Sequence, residues 1–258
     1  FAKFSVKGTD ALEVLNVLSA NQIDVEPGRG VYTQWLNKRG GIEADLTVNR
    51  IEENEFLVVT SAASQTRDWS WLTRAAKERS LTIEDVTDDF SVIGVMGPQA
   101  RDTLQPVVSA DLSNKNFPFG NFKKIELAGI ECLALRMSYV GELGWEIYVP
   151  ITSSLNVFDE IMRSGTDYEI CLAGYHAMNS LRLESGYRHW GHDITAADNP
   201  LEAGLGFAVA WDKPCGFIGR DALIAQRDEE RVKRLIQFRI EDQEILSYQK
   251  YYFLDKEL

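Results

Sequence analysis

The chain of 258 residues is predicted to be an α+β protein. Three observations carry that prediction. Apolar residues make up 45% of the sequence, as in a well-packed globular domain. Short β-branched runs bounded by glycine are interspersed with helical stretches. The turns join mixed pairs of elements rather than a regular βαβ series, which argues against a doubly wound sheet. No low-complexity tract, long Pro/Gly/Ser linker or solenoid-length repeat interrupts the pattern. No run approaches the roughly 18 apolar residues of a membrane span, and no basic-then-apolar leader opens the chain. It begins on Phe1, directly in sequence that reads as folded, as a segment of a longer protein would.

The elements follow in order. Gly40-Gly41 reads as a reversal, with a strand running on from it through Asp45. Residues 56–60 form a short β-branched strand, and 68–78 a helix with Asp68 as its cap. A second strand spans 91–96 and stops at Gly97; Pro98 then opens a helix. Residues 130–137 and 145–149 are strands separated by a turn over 139–144. Residues 154–163 form a helix. A longer helix covers 173–185, with Ala173, Ala177 and Leu181 on one stripe and Gly186 ending it. Residues 220–227 are helical, and 233–240 read as a strand opening a new element.

Asp and Glu number 39 against 27 Lys and Arg, a formal charge of −12. Nucleic-acid binders need positive surface to displace phosphate counterions, so that class is disfavoured. The three cysteines, Cys132, Cys171 and Cys215, form no CxxC. They read as reduced thiols, most of them buried, in a reducing compartment. The expected location is the cytoplasm, or the mitochondrial matrix in a eukaryote.

Two stretches could carry chemistry. In Tyr32-Thr33-Gln34-Trp35-Leu36-Asn37 followed by Gly40-Gly41-Ile42-Glu43-Ala44-Asp45, the glycines permit a tight reversal and close approach to a ligand. Alternation puts Glu43, Asp45 and Thr47 on one face. A carboxylate against an apolar pocket can act as a base or stabilise a cation. The residues alone favour a plain hairpin with its polar side chains in water. In the second stretch, residues 139–148, Glu146 stands between Trp145 and Ile147. If buried, it needs a partner such as a planar heterocycle with adjacent N–H donors; otherwise it faces solvent, and the residues do not choose. Residues 180–193 hold a His189-x-x-His192 pair but no third ligand at a recognisable spacing, so no metal is assigned. No dinucleotide fingerprint or nucleophile elbow is present.

The segments FAKFSVKGTDALEVL, YTQWLNKRGGIEADLTV, GVMGPQARDTL, YVGELGWEIYVP, AMNSLRLESGYRHWG, NPLEAGLGFAV and FIGRDAL resemble the aminomethyltransferase (glycine-cleavage T-protein) superfamily. The resemblance is strongest to the folate-binding C-terminal regions of dimethylglycine and sarcosine dehydrogenases and oxidases. It implies a cloverleaf-like fold around a folate pocket. Residues 1–228 would be the folate-binding domain and 229–258 the start of a truncated C-terminal β-barrel, the barrel itself largely missing. It implies Asp45 as the catalytic carboxylate beside the folate amine, with Tyr32 and Tyr139 in the pocket and Glu146 on the pterin amino and imino groups. Thr60, Met178 and Trp211 fall on further folate-binding positions.

Departures narrow the branch. Ala44-Asp45 stands where the T-protein has Asp-Asp, Met178 replaces an arginine, and Thr60 replaces an asparagine. These fit the dehydrogenase-type branch, in which an iminium or formaldehyde equivalent from an N-methyl amine is captured as methylenetetrahydrofolate. Tetrahydrofolate is the implied cofactor, with FAD only if a separate or upstream domain exists. The implied partners are folate, a small amine and a flavin-binding domain or subunit, with no nucleic acid and no membrane. The alternatives are a non-catalytic regulatory protein of the same fold and a folate-dependent demethylase or aminomethyltransferase. One regulatory branch carries Lys-Gly-Cys-Tyr-x-Gly-Gln-Glu; residues 213–220 here keep its cysteine, Cys215, but not its pattern.

Overall fold

A computed structural model describes residues 1–229 and 233–238. The fold is α+β, as expected, and is built on two antiparallel sheets. The first holds β1 (Ala2–Lys7), β2 (Arg29–Leu36), β3 (Ile42–Glu52), β4 (Glu55–Thr60) and β5 (Thr82–Asp85), in the order β2-β3-β4-β1-β5. The second holds β6 (Phe90–Met96), β7 (Phe122–Leu127), β8 (Ile130–Leu135) and β9 (Gly144–Pro150), in the order β6-β9-β8-β7. Among the described residues neither sheet closes into a barrel, and no helix is long and apolar enough to cross a membrane.

Period-two alternation gives each sheet two different faces. In the first, Phe4, Ala44, Leu46, Val48, Phe56 and Val58 bury one face against α1 (Ala11–Leu18) and α2 (Gln65–Ala75). In the second, Trp145, Ile147 and Val149 pack against α3 (Ala100–Leu104) and α4 (Ser154–Ser164). The remaining faces meet each other. Leu57 and Val59 of β4 form one buried cluster with Phe122, Leu135 and Tyr148 of the second sheet. That seam between the sheets positions the polar residues described below.

After α5 (Tyr175–Glu184), a third cluster gathers irregular chain around α6 (Arg220–Asp228), and buries Leu36, Ile42, Ile194, Leu205, Phe217 and Leu223. A polar clamp adds to this apolar packing against the N-terminal lobe. Lys213 is buried and donates from Nζ to the carbonyls of Asn16 (2.6 Å), Ser19 (2.5 Å) and Asn21 (2.8 Å). Two of those carbonyls lie at or just beyond the α1 C-terminus, where backbone acceptors lack intrahelical donors. Backbone bonds Ala210 N to Ala20 O (2.9 Å) and Ile218 N to Val17 O (3.1 Å) flank the clamp.

Several expected elements shift. Asp68 does not cap α2 but lies inside its first turn, almost fully buried; its Oδ2 accepts from the Thr60 hydroxyl at 2.6 Å and its Oδ1 from Arg67. Burial raises its carboxyl, and these bonds oppose that. The long helix begins at Tyr175 rather than 173, and its expected apolar stripe is exposed; only Arg182 is buried. Polar anchors hold it instead. Arg182 donates to Asn179 Oδ1 (2.8 Å), to the Tyr187 carbonyl (3.0 Å) and to Asp193. The expected strand 233–240 has no strand pairing over 233–238, and its end lies outside the described residues. Of the thiols only Cys132 is buried; Cys171 and Cys215 sit in exposed loops.

Thr60→Val should strand a buried carboxylate oxygen while keeping the strand's shape. The expected loss is about 1–3 kcal/mol of unfolding free energy, read by urea denaturation at pH 7. An unchanged midpoint would remove Thr60–Asp68 from the contacts that hold α2 on the sheet.

Candidate active site

The site begins with a hairpin. β2 and β3 are joined through Asn37, whose amide donates to the Gly41 carbonyl (2.9 Å) and whose side-chain oxygen accepts from the Gly41 amide (3.1 Å). Gly40 adopts φ +84°, open to glycine without strain. Gly41 is required by a close approach, but to protein rather than to a ligand: a Cβ there would lie 2.1 Å from the Ala196 carbonyl oxygen. The glycine pair therefore docks the turn onto the 190–198 loop. The Ile42 amide continues that contact by donating to Asp198 O at 2.9 Å.

Beyond the turn, register places the side chains. Gln34 lies opposite Asp45, and Tyr32 opposite Thr47. Glu43, Asp45 and Thr47 share one face, as alternation predicts, while Ala44 points into the apolar core on the other. A carboxylate at position 44 would project away from this face, so Ala44 leaves it unaltered. Gln34 Nε2 donates to Asp45 Oδ1 at 2.9 Å. Burial pushes the Asp45 carboxyl up to about 6, with hydrogen bonds from Gln34 and Tyr32 and the charge of Arg188 pulling the other way. Burial, with the neighbouring Asp45 charge, raises the Tyr32 phenol in turn. Tyr32 also stacks on the exposed Phe207, ring centroids 6.3 Å apart.

Tyr139 joins from the loop before β9. Its hydroxyl donates to the Arg188 carbonyl at 2.7 Å and its ring stacks on Tyr187 at 6.1 Å. Burial raises its phenol, and the charges of Arg182 and Asp45 both bear on it.

Glu146 is half-buried on β9. It faces away from Trp145 and Ile147, yet that side is the seam between the sheets, shared with Leu135 and Tyr148. Tyr148, fully buried, donates from its hydroxyl to Glu146 Oε2 at 2.9 Å. Burial raises the Glu146 carboxyl and Tyr148 holds it down. The seam thus carries two carboxylates, Asp45 from the first sheet and Glu146 from the second.

The remaining positions make other contacts. The Thr60 hydroxyl is engaged by Asp68 on the α2 side of the sheet. Met178 is half-buried on α5. Trp211 packs in the third cluster with Tyr32 and Trp190, under the Arg227 guanidinium at 4.9 Å. His189 and His192 stack at 5.7 Å, and the described residues hold no group of three or more His, Cys, Asp or Glu side chains able to bind a metal. A surface cleft lined by Val17, Pro214, Cys215 and Phe217 shares no residue with the Asp45 face. Sequence reasoning missed Gln34 and Tyr148, whose roles appear only once the register is known.

The GCVT N-terminal domain family model matches residues 1–213. The chain belongs to this family. It is 43% identical over 224 residues to 4-methylaminobutanoate oxidase (formaldehyde-forming) of Paenarthrobacter nicotinovorans, covering 87% of this chain and 27% of that protein. It is 38% identical over 257 residues to mitochondrial sarcosine dehydrogenase of Homo sapiens, covering 94% and 28%. The chain therefore spans little more than a quarter of these relatives. Aminomethyltransferase T of the Bartonella henselae glycine cleavage system superposes with a TM-score of 0.76 at 26% identity, covering 88% of this chain and 60% of that one. Family membership and this superposition agree with the aminomethyltransferase fold read from the motifs.

The raised carboxyl of the half-buried Asp45 has a stability consequence. Its folded carboxyl, at about 6, lies above the ordinary 3.8, so the native state binds the proton more tightly than the unfolded chain. The stability contributed by the protonated form is complete below about pH 4 and lost as pH rises through about 6. The ionised group costs at most about 3 kcal/mol at neutral pH. Asp45→Asn should melt with the parent near pH 4 and above it at pH 7.5, by scanning calorimetry. A gap that does not widen with pH would show Asp45 to be solvated.

Proposed function

We propose that the seam captures a one-carbon unit on tetrahydrofolate, taking an iminium or formaldehyde equivalent from oxidation of an N-methyl amine and yielding methylenetetrahydrofolate. The observation that carries this reading is the pair of half-buried carboxylates on facing sheets, one shifted to about 6 and the other beside a buried tyrosine. Family membership supports it, as do two relatives named for oxidising sarcosine and 4-methylaminobutanoate, the latter formaldehyde-forming. The oxidising flavin belongs, in this reading, to another domain or subunit. The free thiols fit a reducing compartment, cytoplasm or mitochondrial matrix.

The residues fit a folate. A pterin offers adjacent amino and ring N–H donors in one plane, and a carboxylate accepts such a pair through both oxygens. Glu146 supplies that acceptor, with Tyr148 fixing its plane through Oε2. Tyr32, Tyr139 and Tyr187 supply flat apolar surface toward Asp45. Tetrahydrofolate contributes two amine nitrogens that together bind one methylene carbon. When bound, it would form two N–C bonds as the formaldehyde oxygen leaves as water, or the iminium's amine departs, and closing the ring would release a proton from nitrogen. Asp45, ionised at neutral pH yet basic enough to accept it, takes the proton or stabilises the positive charge that precedes its loss. Hydrogen bonds from Gln34 and Tyr32, with the charge of Arg188, favour the charged carboxylate, and the phenols of Tyr32 and Tyr139 stay protonated as donors.

Asp45→Asn should lower the yield of methylenetetrahydrofolate from supplied formaldehyde by roughly 100-fold or more, the scale of a lost acid–base group. Folate affinity should barely change. Equal yield would sink the assignment of Asp45 as base, and lost affinity with normal yield would make it a binding residue. Glu146→Gln keeps the shape and removes the charge, so tetrahydrofolate binding by calorimetry should weaken by about 1.5–3 kcal/mol, roughly 10- to 150-fold. Unaltered affinity would place the pterin elsewhere.

A further inference from the structure

Gln34 has no solvent exposure, and only half of its amide is used. Nε2 donates to Asp45 Oδ1 at 2.9 Å, while Oε1 is buried with no hydrogen-bond partner. An orphaned buried acceptor costs about 1–3 kcal/mol. A leucine or methionine would fill the same space without it. The amide therefore serves something other than packing, and Nε2 is its one satisfied atom.

The sense of the amide follows from the charge of its partner. An ionised carboxylate only accepts hydrogen bonds, so it selects Nε2. A protonated Asp45 keeps an acceptor on its unprotonated oxygen, so Nε2 can still donate to it, but that bond is weaker than the one to the charged group. Turning the amide over would leave Nε2 orphaned in place of Oε1, so Gln34 satisfies one amide atom in either sense.

We propose that Gln34 is a positioning residue for Asp45: cross-strand pairing places its buried amide so that Nε2 fixes the orientation of the carboxylate and favours its ionised form. The inference deepens the folate-dependent reading and rests on it for its catalytic meaning. The groups that face Asp45 are consistent with it. Tyr32 on β2 lies within hydrogen-bonding reach, Arg188 beyond α5 adds positive charge, and Tyr139 before β9 supplies a neutral phenol. Glu43, the neighbouring carboxylate on the same face of β3, is held by Asn37 Nδ2 at 3.0 Å. Of the two side-chain donors to Asp45, Gln34 is the one with no solvent exposure. The raised Asp45 carboxyl also agrees, since the Gln34 bond opposes the effect of burial.

The test compares the full-length protein with its Gln34→Leu and Gln34→Met variants by two readouts. Carbon-13 NMR of labelled aspartate follows the Asp45 carboxyl directly, with no folate present. Its midpoint should rise by about one pH unit in both variants, halving the ionised fraction near neutrality. The acid limb of methylenetetrahydrofolate formation should move up by the same amount, with the rate largely recovered at pH 8.5. A midpoint that stays put in either folded variant overturns the proposal, as does a rate loss equal at every pH. If the midpoint moves but the parent binds no tetrahydrofolate, Gln34 still positions Asp45 and it is the folate reading that fails. Two variants of different shape guard against misfolding of one.

Discussion

The constraint on which the rest depends is the strict alternation of β3 between an apolar core and a polar seam. Ala44, Leu46 and Val48 must stay in the core beneath the sheet, and a one-residue slip would exchange them with Glu43, Asp45 and Thr47. Pairing with β2 on one side and β4 on the other pins the register, and the hairpin turn fixes its starting point through Gly41 and Ala196. β9 obeys the same rule, with Trp145, Ile147 and Val149 held in the second core and Glu146 and Tyr148 left for the seam. Two hydrophobic cores thereby turn Asp45 and Glu146 toward the seam between the sheets.

Placing carboxylates there opposes folding. Both are raised by burial, and each is moderated by a donor from a neighbouring side chain: Gln34 and Tyr32 for Asp45, Tyr148 for Glu146. The partial compensation leaves Asp45 nearer neutrality than an exposed aspartate, which suits a proton acceptor. Other polar contacts hold the surrounding elements, among them the Thr60–Asp68 bond and the Arg182 anchor on Asp193.

Much of this was legible in the residues. The shared face of Glu43, Asp45 and Thr47 follows from alternation, and the class from the order of the elements. The motifs that resemble the T-protein family located both carboxylates. What escaped was whatever depends on pairing between distant segments. A glutamine in a strand carries no signal of what lies across from it; only register sets Gln34 against Asp45. Gly41 reads as a turn residue, while its real constraint is a carbonyl 155 positions later. Asp68 resembles a helix cap because caps and buried acceptors use the same side chains. The helix from Tyr175 misled because apolar residues at helical spacing imply a covered face, whereas here a buried arginine does the anchoring.

The Lys213 clamp bears on the order in which the molecule can be assembled. The carbonyls it gathers belong to residues 16–21, and the strands around them are complete by residue 85. The first lobe can therefore collapse early, while the end of α1 waits for an ammonium almost two hundred residues downstream. A ribosome making about 5–20 residues per second needs roughly ten to forty seconds to supply it. During that interval the carbonyls beyond α1 have only water, and the surface that will meet residues 209–218 stands open. The lobe that forms first is sealed last, and its closure is a long-range event of the kind that slows folding and invites chaperone attention.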